Sequence, residues 1–383
     1  MSAPGLLPVL LPGPGQAFPS VRSAGPDLTD PGAAPSAEEL RRLGELVLTV
    51  GAPALVLSLL LPFVLKPLLE RWGVVDIPNE RSSHHRTVIR GMGLAVAAAV
   101  LVGDGLALLT GTIRVDRSVA LVVLAVAALS AALGWAEDYR GVSVRGRLAA
   151  QLGLGLAATT VLVTVLGTSV WWLPVGTLAI AAYINMANFM DGINGISGLH
   201  GLTAGLLYAW AGASNDLPWM IAAGLAVAGG FAGFLPWNLG RGTVFLGDVG
   251  SYLLGGSLAA IAVAAFLSGV YVEYLLPPLA VYVADTAVTL VRRIRAGEVW
   301  YRPHRQHVYQ RLTDVGLSHV GSALVVSGAT VLVSAASVLG LRTGPVATAL
   351  AGAFVVAVLV LYLVLPELLG RRAAARTRDG ARP

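Results

Sequence analysis

The sequence predicts an all-α, polytopic integral membrane protein, and two observations support this fold class. Hydrophobic residues make up 56% of the 383 residues and charged residues only 12%, which is more apolar surface than a soluble chain of this length could cover around one core. The apolar residues also fall into about eleven runs, most of them close to the ~20 residues that a spanning helix needs. We therefore expect about 11 transmembrane helices.

No internal repeat relates the eleven runs, which argues against the inverted-repeat architecture of many transporters. Several runs are short and rich in glycine. The predicted spans are Leu46–Leu69, Leu94–Thr110, Val119–Trp135, Leu148–Leu166, Trp172–Phe189, Ile196–Ala211, Trp219–Leu235, Tyr252–Leu267, Tyr274–Leu290, Val320–Leu339 and Val346–Leu365.

The regions outside these runs suggest three segments. Residues 1–43 are rich in Pro, Gly and Ala and lack the basic start and cleavage site of a signal peptide. We expect them to be a disordered tail, or to follow a start codon placed too early. A transmembrane catalytic domain is expected at 44–369, followed by a basic cytoplasmic tail at 370–383.

The arginines predict the orientation in the membrane. The net charge is +5, and Lys66 is the only lysine. Arginines concentrate in alternate loops, and the positive-inside rule makes those loops cytoplasmic. With an odd number of spans, this places the N-terminus outside and the C-terminus inside the cell membrane. The arginine-rich segments are 81–90, 140–147, 292–311 and 371–382.

All motif-like polar segments fall in these same loops, which predicts an active site at the cytoplasmic face. In FLGDVGS, Asp248 lies between Gly247 and Gly250 at the start of an apolar run. A carboxylate at a membrane edge is costly without a partner, and Mg²⁺ bound by one or two carboxylates and substrate phosphates would provide one. The alternative is a helix cap favoured by the helix dipole.

The segment NMANFMDGING places Asn185, Asn188 and Asp191 three residues apart, on one ridge of a helix end. Gly192 and Gly195 then end the helix and expose backbone N–H groups. Amides beside a carboxylate suit a nucleotide or an amide-bearing sugar and a share of a metal ion. The alternative is a polar helix terminus without function.

In EDYRGVSVRGRLAAQ, the acids Glu137 and Asp138 end one run, and Arg140, Arg145 and Arg147 follow. Acids for metal or proton chemistry beside arginines for phosphate oxygens are typical of phosphoryl transfer. An ordinary positive-inside loop with local ion pairs is the alternative.

The loop before residue 312 carries His304, Arg305 and His307, which suit phosphate binding. Contact with lipid headgroups is the alternative. Asp285, near the cytoplasmic end of its run, is expected to be functional because intramembrane acids are costly. Asp104 lies deeper in its run and can simply face other helices, so we do not expect it to belong to the site.

In this order, the five segments resemble the polyprenyl-phosphate N-acetylhexosamine-1-phosphate transferases, a membrane family that includes the phospho-N-acetylmuramoyl-pentapeptide transferases. The resemblance spans about residues 45–365. The matching residues are Asp76, Pro78, Arg81, His84, Arg90, Gly91 and Gly93, then Glu137, Asp138, Arg147 and Gln151, then Asn185, Asn188, Asp191 and Gly192, then Asn238, Phe245, Gly247, Asp248, Gly250 and Ser251, and last His304, Arg305 and His307.

Six positions depart from the family pattern, and two of them are Thr87 and Ile89, which replace common prolines. Glu137 stands where the family usually has Asp, and Asn194 replaces the second acid of Asp-Gly-x-Asp-Gly. Tyr309 and Gln310 stand where histidines are common. The reduced histidine cluster favours the surface-polysaccharide branch over the peptidoglycan branch.

The resemblance implies transfer of an N-acetylhexosamine 1-phosphate from a UDP-sugar to a polyprenyl phosphate, with release of UMP. It implies a catalytic set of Asp138, Asp191, Asp248 and His307, in which the three aspartates hold Mg²⁺, or Mn²⁺ as an alternative, and Asp248 is the principal ligand. The substrate contacts implied are Arg81, His84, Arg147, Asn185, Asn188, Asn194, Asn238, Phe245, His304 and Arg305.

The expected partners are a UDP-N-acetylhexosamine, a polyprenyl phosphate and the membrane, with no nucleic acid and with a homodimer as an allowed assembly. Three alternatives stay open at this point. One is a phospho-N-acetylmuramoyl-pentapeptide transferase, one a transporter or flippase, and one an inactive relative that serves as a scaffold. A transporter would need polar residues through the membrane, whereas here they gather at one edge.

Overall fold

The computed structural model describes residues 36–76, 88–239, 244–299 and 304–379, and helices dominate it. Helical segments cover the apolar runs predicted from the sequence, two of them as consecutive shorter elements, which confirms the all-α polytopic fold class. In chain order the elements are α1 (Ala37–Leu46), a π-helical turn (Val47–Gly51), α2 (Ala52–Leu60), α3 (Pro62–Arg71), β1 (Val75–Asp76), β2 (Val88–Ile89), α4 (Gly93–Leu109), α5 (Arg117–Arg140), α6 (Val144–Leu166), α7 (Trp172–Met190), α8 (Ile196–Ser214), α9 (Pro218–Leu239), α10 (Gly247–Leu267), α11 (Val272–Leu275), α12 (Pro277–Arg295), α13 (Val308–Asp314), α14 (His319–Arg342) and α15 (Pro345–Asp379).

Within the described ranges, eight helical stretches are long and apolar enough to cross a membrane, and α4 is a shorter apolar helix. Two further predicted spans coincide with α8 and α12. Glycine, serine and His200 lower the mean hydropathy of α8, and α12 carries Asp285 and ends in three arginines. Both helices have 19 residues, but their polar side chains keep their mean hydropathy below that of the eight stretches.

The two ends of the described chain extend helices beyond the predicted boundaries. α1 begins at Ala37, before the predicted start of the membrane domain at residue 44. Glu38 accepts from Arg41 at 2.8 Å and from Arg42 at 3.0 Å, and pairs at this spacing stabilise an exposed helix. At the other end, α15 continues through residue 370 to Asp379. Residues 1–35 of the predicted tail lie outside the described residues.

Helix α10 lies at the centre of the bundle, and glycines let two neighbouring helices approach it closely. A Cβ added at Gly134 of α5 would lie 2.2 Å from the backbone oxygen of Asp248, and one at Gly255 of α10 would lie 2.6 Å from the Cα of Ile184 of α7. Small residues at helix crossings allow this backbone contact. The ends of α5, α7 and α10 therefore meet in a small volume.

A short stretch of backbone pairing joins two loops beside the start of α10. β1 and β2 are antiparallel, with Val75 opposite Ile89. The backbone N–H of Phe245 donates to Ile89 at 2.8 Å, and that of Gly93 donates to Leu246 at 2.8 Å. This pairing fixes Arg90, the first residue after β2, next to the first turn of α10.

We predict that Gly134→Ala destabilises the protein by about 1–3 kcal/mol, because the added methyl group would push α5 away from α10. The melting temperature in detergent measures this effect. Gly153→Ala is the matched control, since Gly153 on α6 has open space around its Cα and alanine favours a helix. Equal melting temperatures for the two variants would contradict the close packing.

Candidate active site

Arg90 joins two of the predicted acids. Its Nε lies 2.8 Å from Oδ1 of Asp138, and its Nη2 lies 2.9 Å from Oδ2 of Asp248. The Asp138 side chain is fully buried, and that of Asp248 is 12% exposed. A guanidinium placed between two buried carboxylates offsets the cost of keeping both of them ionised.

Asp138 also caps α10 from a different helix. Its Oδ1 accepts from the backbone N–H of Asp248 at 3.0 Å, and its Oδ2 from that of Val249 at 2.9 Å. The first N–H groups of a helix have no partner within the helix, and a carboxylate there is also favoured by the dipole. Asp138 therefore supplies the cap that the sequence offered as the alternative role of Asp248.

The carboxylate of Asp248 faces α7 instead. Nδ2 of Asn188 donates to Oδ1 of Asp248 at 2.6 Å and to Oγ of Ser251 at 3.1 Å. Asn185, one turn earlier, donates to Oε1 of Gln151 at 2.6 Å and so links α7 to α6. The structure thus brings Asn188 to the acids and gives Asn185 a contact between helices.

Asp191 follows the last residue of α7 and is half-buried. Its Oδ1 accepts from Oγ of Ser197 at 2.6 Å. Burial raises its pKa to about 7, although the hydrogen bond from Ser197 opposes the shift, and the nearby charges of Asp248 and Asp138 raise it further. The three predicted acids therefore belong to one electrostatic cluster.

The other predicted residues near α7 hold backbone segments together. Oδ1 of Asn238, at the end of α9, accepts from the backbone N–H of Gly195, and its Nδ2 donates to the carbonyl of Val244 at 3.1 Å. The N–H of Asn194 donates to Nδ1 of His319 at 3.4 Å. Phe245 is half-buried beside Asp248 in the chain. Their contacts with substrate stay predictions.

Arg147 lies next to the acids on the side of α6. Its Nη1 donates to Oε1 of Glu137 at 2.8 Å and lies 3.4 Å from the hydroxyl of Tyr252. The local ion pair that the sequence offered as an alternative is therefore present. Part of the Arg147 side chain is exposed, so a phosphate could still reach it. Its role in phosphate binding stays a prediction.

The histidine loop is anchored on the same end of the bundle. Nδ1 of His307 lies 3.0 Å from Oδ1 of Asp285, and the rings of His304 and His307 are 4.8 Å apart. Burial lowers the pKa of His304 to about 4, helped by the charges of His307 and Arg293. Arg305 is exposed beside them.

A tyrosine places this loop against the end of α7. The hydroxyl of Tyr309 donates to the carbonyl of Phe189 at 3.1 Å, and a Cβ at Gly192 would lie 2.1 Å from that hydroxyl. The histidine loop and the Asn-Asn-Asp segment are therefore in direct contact. The predicted substrate residues Arg81 and His84 lie outside the described residues.

The sequence alone does not predict the roles of two residues in this cluster. Arg90 belongs to an Arg-Gly-x-Gly motif, which by itself does not place the arginine beside the acids. The signal for its position is a basic residue directly before glycines that permit close backbone approach. Ser197 gave no signal, because a serine in the first turn of a helix is common.

Whether the acids can bind a metal ion depends on which of their carboxylate oxygens can accept a cation. Across the described ranges, no three His, Cys, Asp or Glu side chains are grouped so that they could hold a metal ion. Mg²⁺ is nevertheless often bound by one or two carboxylates together with substrate phosphates. Asp191 and Asp248 fit that smaller donor set better than Asp138. The oxygens of Asp138 accept two backbone N–H groups and Nε of Arg90, whereas each oxygen of Asp248 has one side-chain donor.

We predict that Arg90→Gln lowers turnover by about 10- to 150-fold, which corresponds to roughly 1–3 kcal/mol for leaving buried carboxylates without their charged donor. The initial rate of the reaction expected from the sequence, release of UMP from a UDP-sugar by the purified protein in detergent, measures this change. Arg114→Gln, in the exposed connection between α4 and α5, is the control and should keep the wild-type rate. Wild-type turnover of the Arg90 variant would show that the guanidinium is dispensable.

Comparison with known proteins identifies the family. Residues 120–266, which hold all three acids, match the model of glycosyl transferase family 4. The decaprenyl-phosphate N-acetylglucosaminephosphotransferase of Mycolicibacterium smegmatis is 31% identical over 369 residues, covering 84% of this chain and 89% of the relative.

Two more relatives extend the comparison. A probable undecaprenyl-phosphate N-acetylglucosaminyl 1-phosphate transferase of Bacillus subtilis is 27% identical over 71% of this chain and 80% of its own length. The phospho-N-acetylmuramoyl-pentapeptide-transferase of Desulforudis audaxviator is 31% identical but covers 57% of this chain and 75% of its own length. With the acids, amides and histidine loop assembled at one end of the bundle, the chain belongs to the polyprenyl-phosphate N-acetylhexosamine-1-phosphate transferase family.

Proposed function

We propose that this protein transfers N-acetylglucosamine 1-phosphate, or a closely related N-acetylhexosamine 1-phosphate, from a UDP-sugar to a polyprenyl phosphate and releases UMP. The observation that supports this most is the cluster of Asp248, Asp138 and Asp191 with Arg90 and Asn188 at the end of an apolar helix bundle. Such a site serves a water-soluble donor and a membrane-embedded acceptor together. The product would start a cell-envelope glycan.

The chemistry needs positioning and charge neutralisation more than a strong base. An oxygen of the acceptor phosphate attacks the phosphorus that carries the sugar, and the bond from that phosphorus to the oxygen of UMP breaks. The acceptor phosphate is already anionic near neutral pH, so no proton has to be removed from it. Catalysis then depends on holding two anions in line and stabilising the transition state.

We propose Asp248 and Asp191 as the protein ligands of Mg²⁺, with Mn²⁺ as an alternative. The ion would neutralise the diphosphate of the donor and the charge that develops on the departing UMP. Asn188 orients Asp248 by donating to its Oδ1 at 2.6 Å. Arg90 and Asp138 fix the backbone of the first turn of α10, from which Asp248 projects.

Three basic side chains at the same end of the bundle as the acids would bind the substrate phosphates. Arg305 and His307 belong to the loop that contacts the end of α7, and Arg147 lies on α6. Phe245 would stack on uracil, and Asn238 would bind the nucleoside or the sugar. These roles come from the family resemblance. The structure supports them to the extent that the α6 arginine and the loop before α13 lie at the same end of the bundle as the acids.

An exposed apolar face of α12 suits the prenyl chain of the acceptor. Ala287, Val288 and Val291 form this face, and Arg292 and Arg295 lie at one end of it. Arginines beside an apolar surface match a lipid whose phosphate is joined to a long hydrocarbon. We therefore place the acceptor along α12.

The second candidate is a phospho-N-acetylmuramoyl-pentapeptide transferase, favoured by the relative from Desulforudis audaxviator. Tyr309 and Gln310 argue against it. The hydroxyl of Tyr309 donates to Phe189, and Oε1 of Gln310 accepts from the backbone of His307. Two positions at which the family often has histidines therefore carry buried structural side chains here.

The proposed function predicts Mg²⁺-dependent release of UMP when purified protein receives UDP-N-acetylglucosamine and a polyprenyl phosphate. A panel of UDP-sugars, including the muramoyl pentapeptide, decides the donor. Asp248→Asn should reduce release by at least about 10³-fold, because the developing charge loses its main counter-charge. Asp216→Asn, on the exposed turn after α8, is the control.

Failure to release UMP from every donor would reject the transferase and leave a transporter or scaffold. Near-normal turnover of the Asp248 variant would reject its role as a metal ligand.

We also propose that the protein lies in the cell membrane, with the N-terminus outside and the C-terminus in the cytoplasm. The sequence has no cysteine, so single cysteines introduced at exposed positions can be labelled with a membrane-impermeant maleimide. Arg114→Cys should react in intact cells, whereas Arg305→Cys should react only after the membrane is permeabilised. The opposite pattern would invert the proposed orientation.

A further inference from the structure

Asp285 lies on α12 outside the acid cluster and is completely buried. Its Oδ1 lies 3.0 Å from Nδ1 of His307 and accepts from the backbone N–H of Val308 at 3.0 Å. Its Oδ2 accepts from the backbone N–H of Tyr309 at 3.3 Å and from the hydroxyl of Tyr362 at 2.6 Å. One carboxylate therefore joins α12, the histidine loop, the start of α13 and α15.

The arrangement specifies how His307 is presented. An ionised carboxylate only accepts hydrogen bonds, and the other groups around Asp285 are N–H and O–H donors. With an ionised Asp285, Nδ1 of His307 is the donor in this contact, which leaves Nε2 as the nitrogen available to a ligand. The two backbone N–H groups bound to Asp285 are first-turn donors of α13, so the same carboxylate also fixes the direction of that helix.

Hydrogen bonds connect α13, and with it His307, to the acid cluster. Tyr309 in its first turn donates to the carbonyl of Phe189 at 3.1 Å, and the preceding residue, Asn188, donates to Asp248 at 2.6 Å. A shift of α13 relative to α12 would therefore move His307 relative to the carboxylates that receive the substrate.

Helix α15 holds this assembly at two points. Besides the hydroxyl of Tyr362, Glu367 accepts from Nη2 of Arg311 on α13 at 2.7 Å. Only 6% of the apolar span of α15 is buried, yet Tyr362 is 2% exposed. The polar contacts of α15 thus point to the histidine loop although most of the helix faces outward.

We infer that Asp285 and Tyr362 form a positioning pair for His307, so that the C-terminal helix contributes to the active site through a hydrogen bond to Asp285. The two residues touch neither substrate nor the reacting atoms in this assignment. They set the tautomer and the place of His307, and the inference about rate rests on the proposed function.

The test compares Tyr362→Phe and Asp285→Asn with a control. Tyr362→Phe removes one hydroxyl and keeps the ring, and it should lower kcat about 3- to 10-fold, whereas Asp285→Asn should lower kcat at least about 30-fold. KM for the UDP-sugar should change less than about twofold, because the loss lies in the transition state. Ser322→Ala removes the 2.7 Å bond from Ser322 to the carbonyl of Tyr309 and should keep the wild-type kcat.

Rates are normalised to the fraction of folded protein, so loss of stability alone leaves kcat unchanged. An unchanged kcat for both variants would overturn the inference, and so would an equal fall in kcat for Ser322→Ala. A fall in kcat limited to the variants of the pair supports it.

A second measurement does not depend on activity. The protein has six histidines, so ¹⁵N-histidine spectra in detergent can be assigned with a His307→Gln variant. The wild-type signal of His307 should show hydrogen on Nδ1, and Asp285→Asn should shift it. If His307 carries its hydrogen on Nε2 alone, the positioning pair is refuted, even where UMP release is normal. If no donor releases UMP, the proposed function fails while the spectrum still tests the pair.

Discussion

The carboxylate of Asp138 at the first turn of α10 is the contact on which the rest of the site depends. It satisfies two backbone N–H groups and, with Asp248, binds Arg90. Helix dipoles, unpaired N–H groups and a buried carboxylate would each be costly alone at the edge of a membrane. Placed together, they offset one another and fix the position from which Asp248 projects.

This contact requires that α5 and α10 almost touch, and glycine makes that possible. The Cα of Gly134 faces the backbone of Asp248, so even a methyl group would separate the two helices. Gly255 does the same between α10 and α7. Close packing of small residues therefore sets the distances among the acids as well as stabilising the bundle.

The site has two halves that are held differently. The acid half is fixed by Asp138 and Arg90 around α10, and the histidine half is fixed by Asp285 around α13. Tyr309 joins the halves through the carbonyl of Phe189. In each half, a buried carboxylate on one helix caps the first turn of a different helix. This contact holds the adjoining loop in place without lengthening it.

The sequence by itself determined the membrane fold and the grouping of the polar loops, because hydropathy and helix ends are local properties. It predicted that Asp138, Asp191 and Asp248 act together, and the structure brings these three acids into one electrostatic cluster. Only the tertiary structure decided that Asp138 is a helix cap and that Asp285 faces His307. These roles depend on contacts between residues far apart in the chain, and their geometry is set by how closely the helices pack.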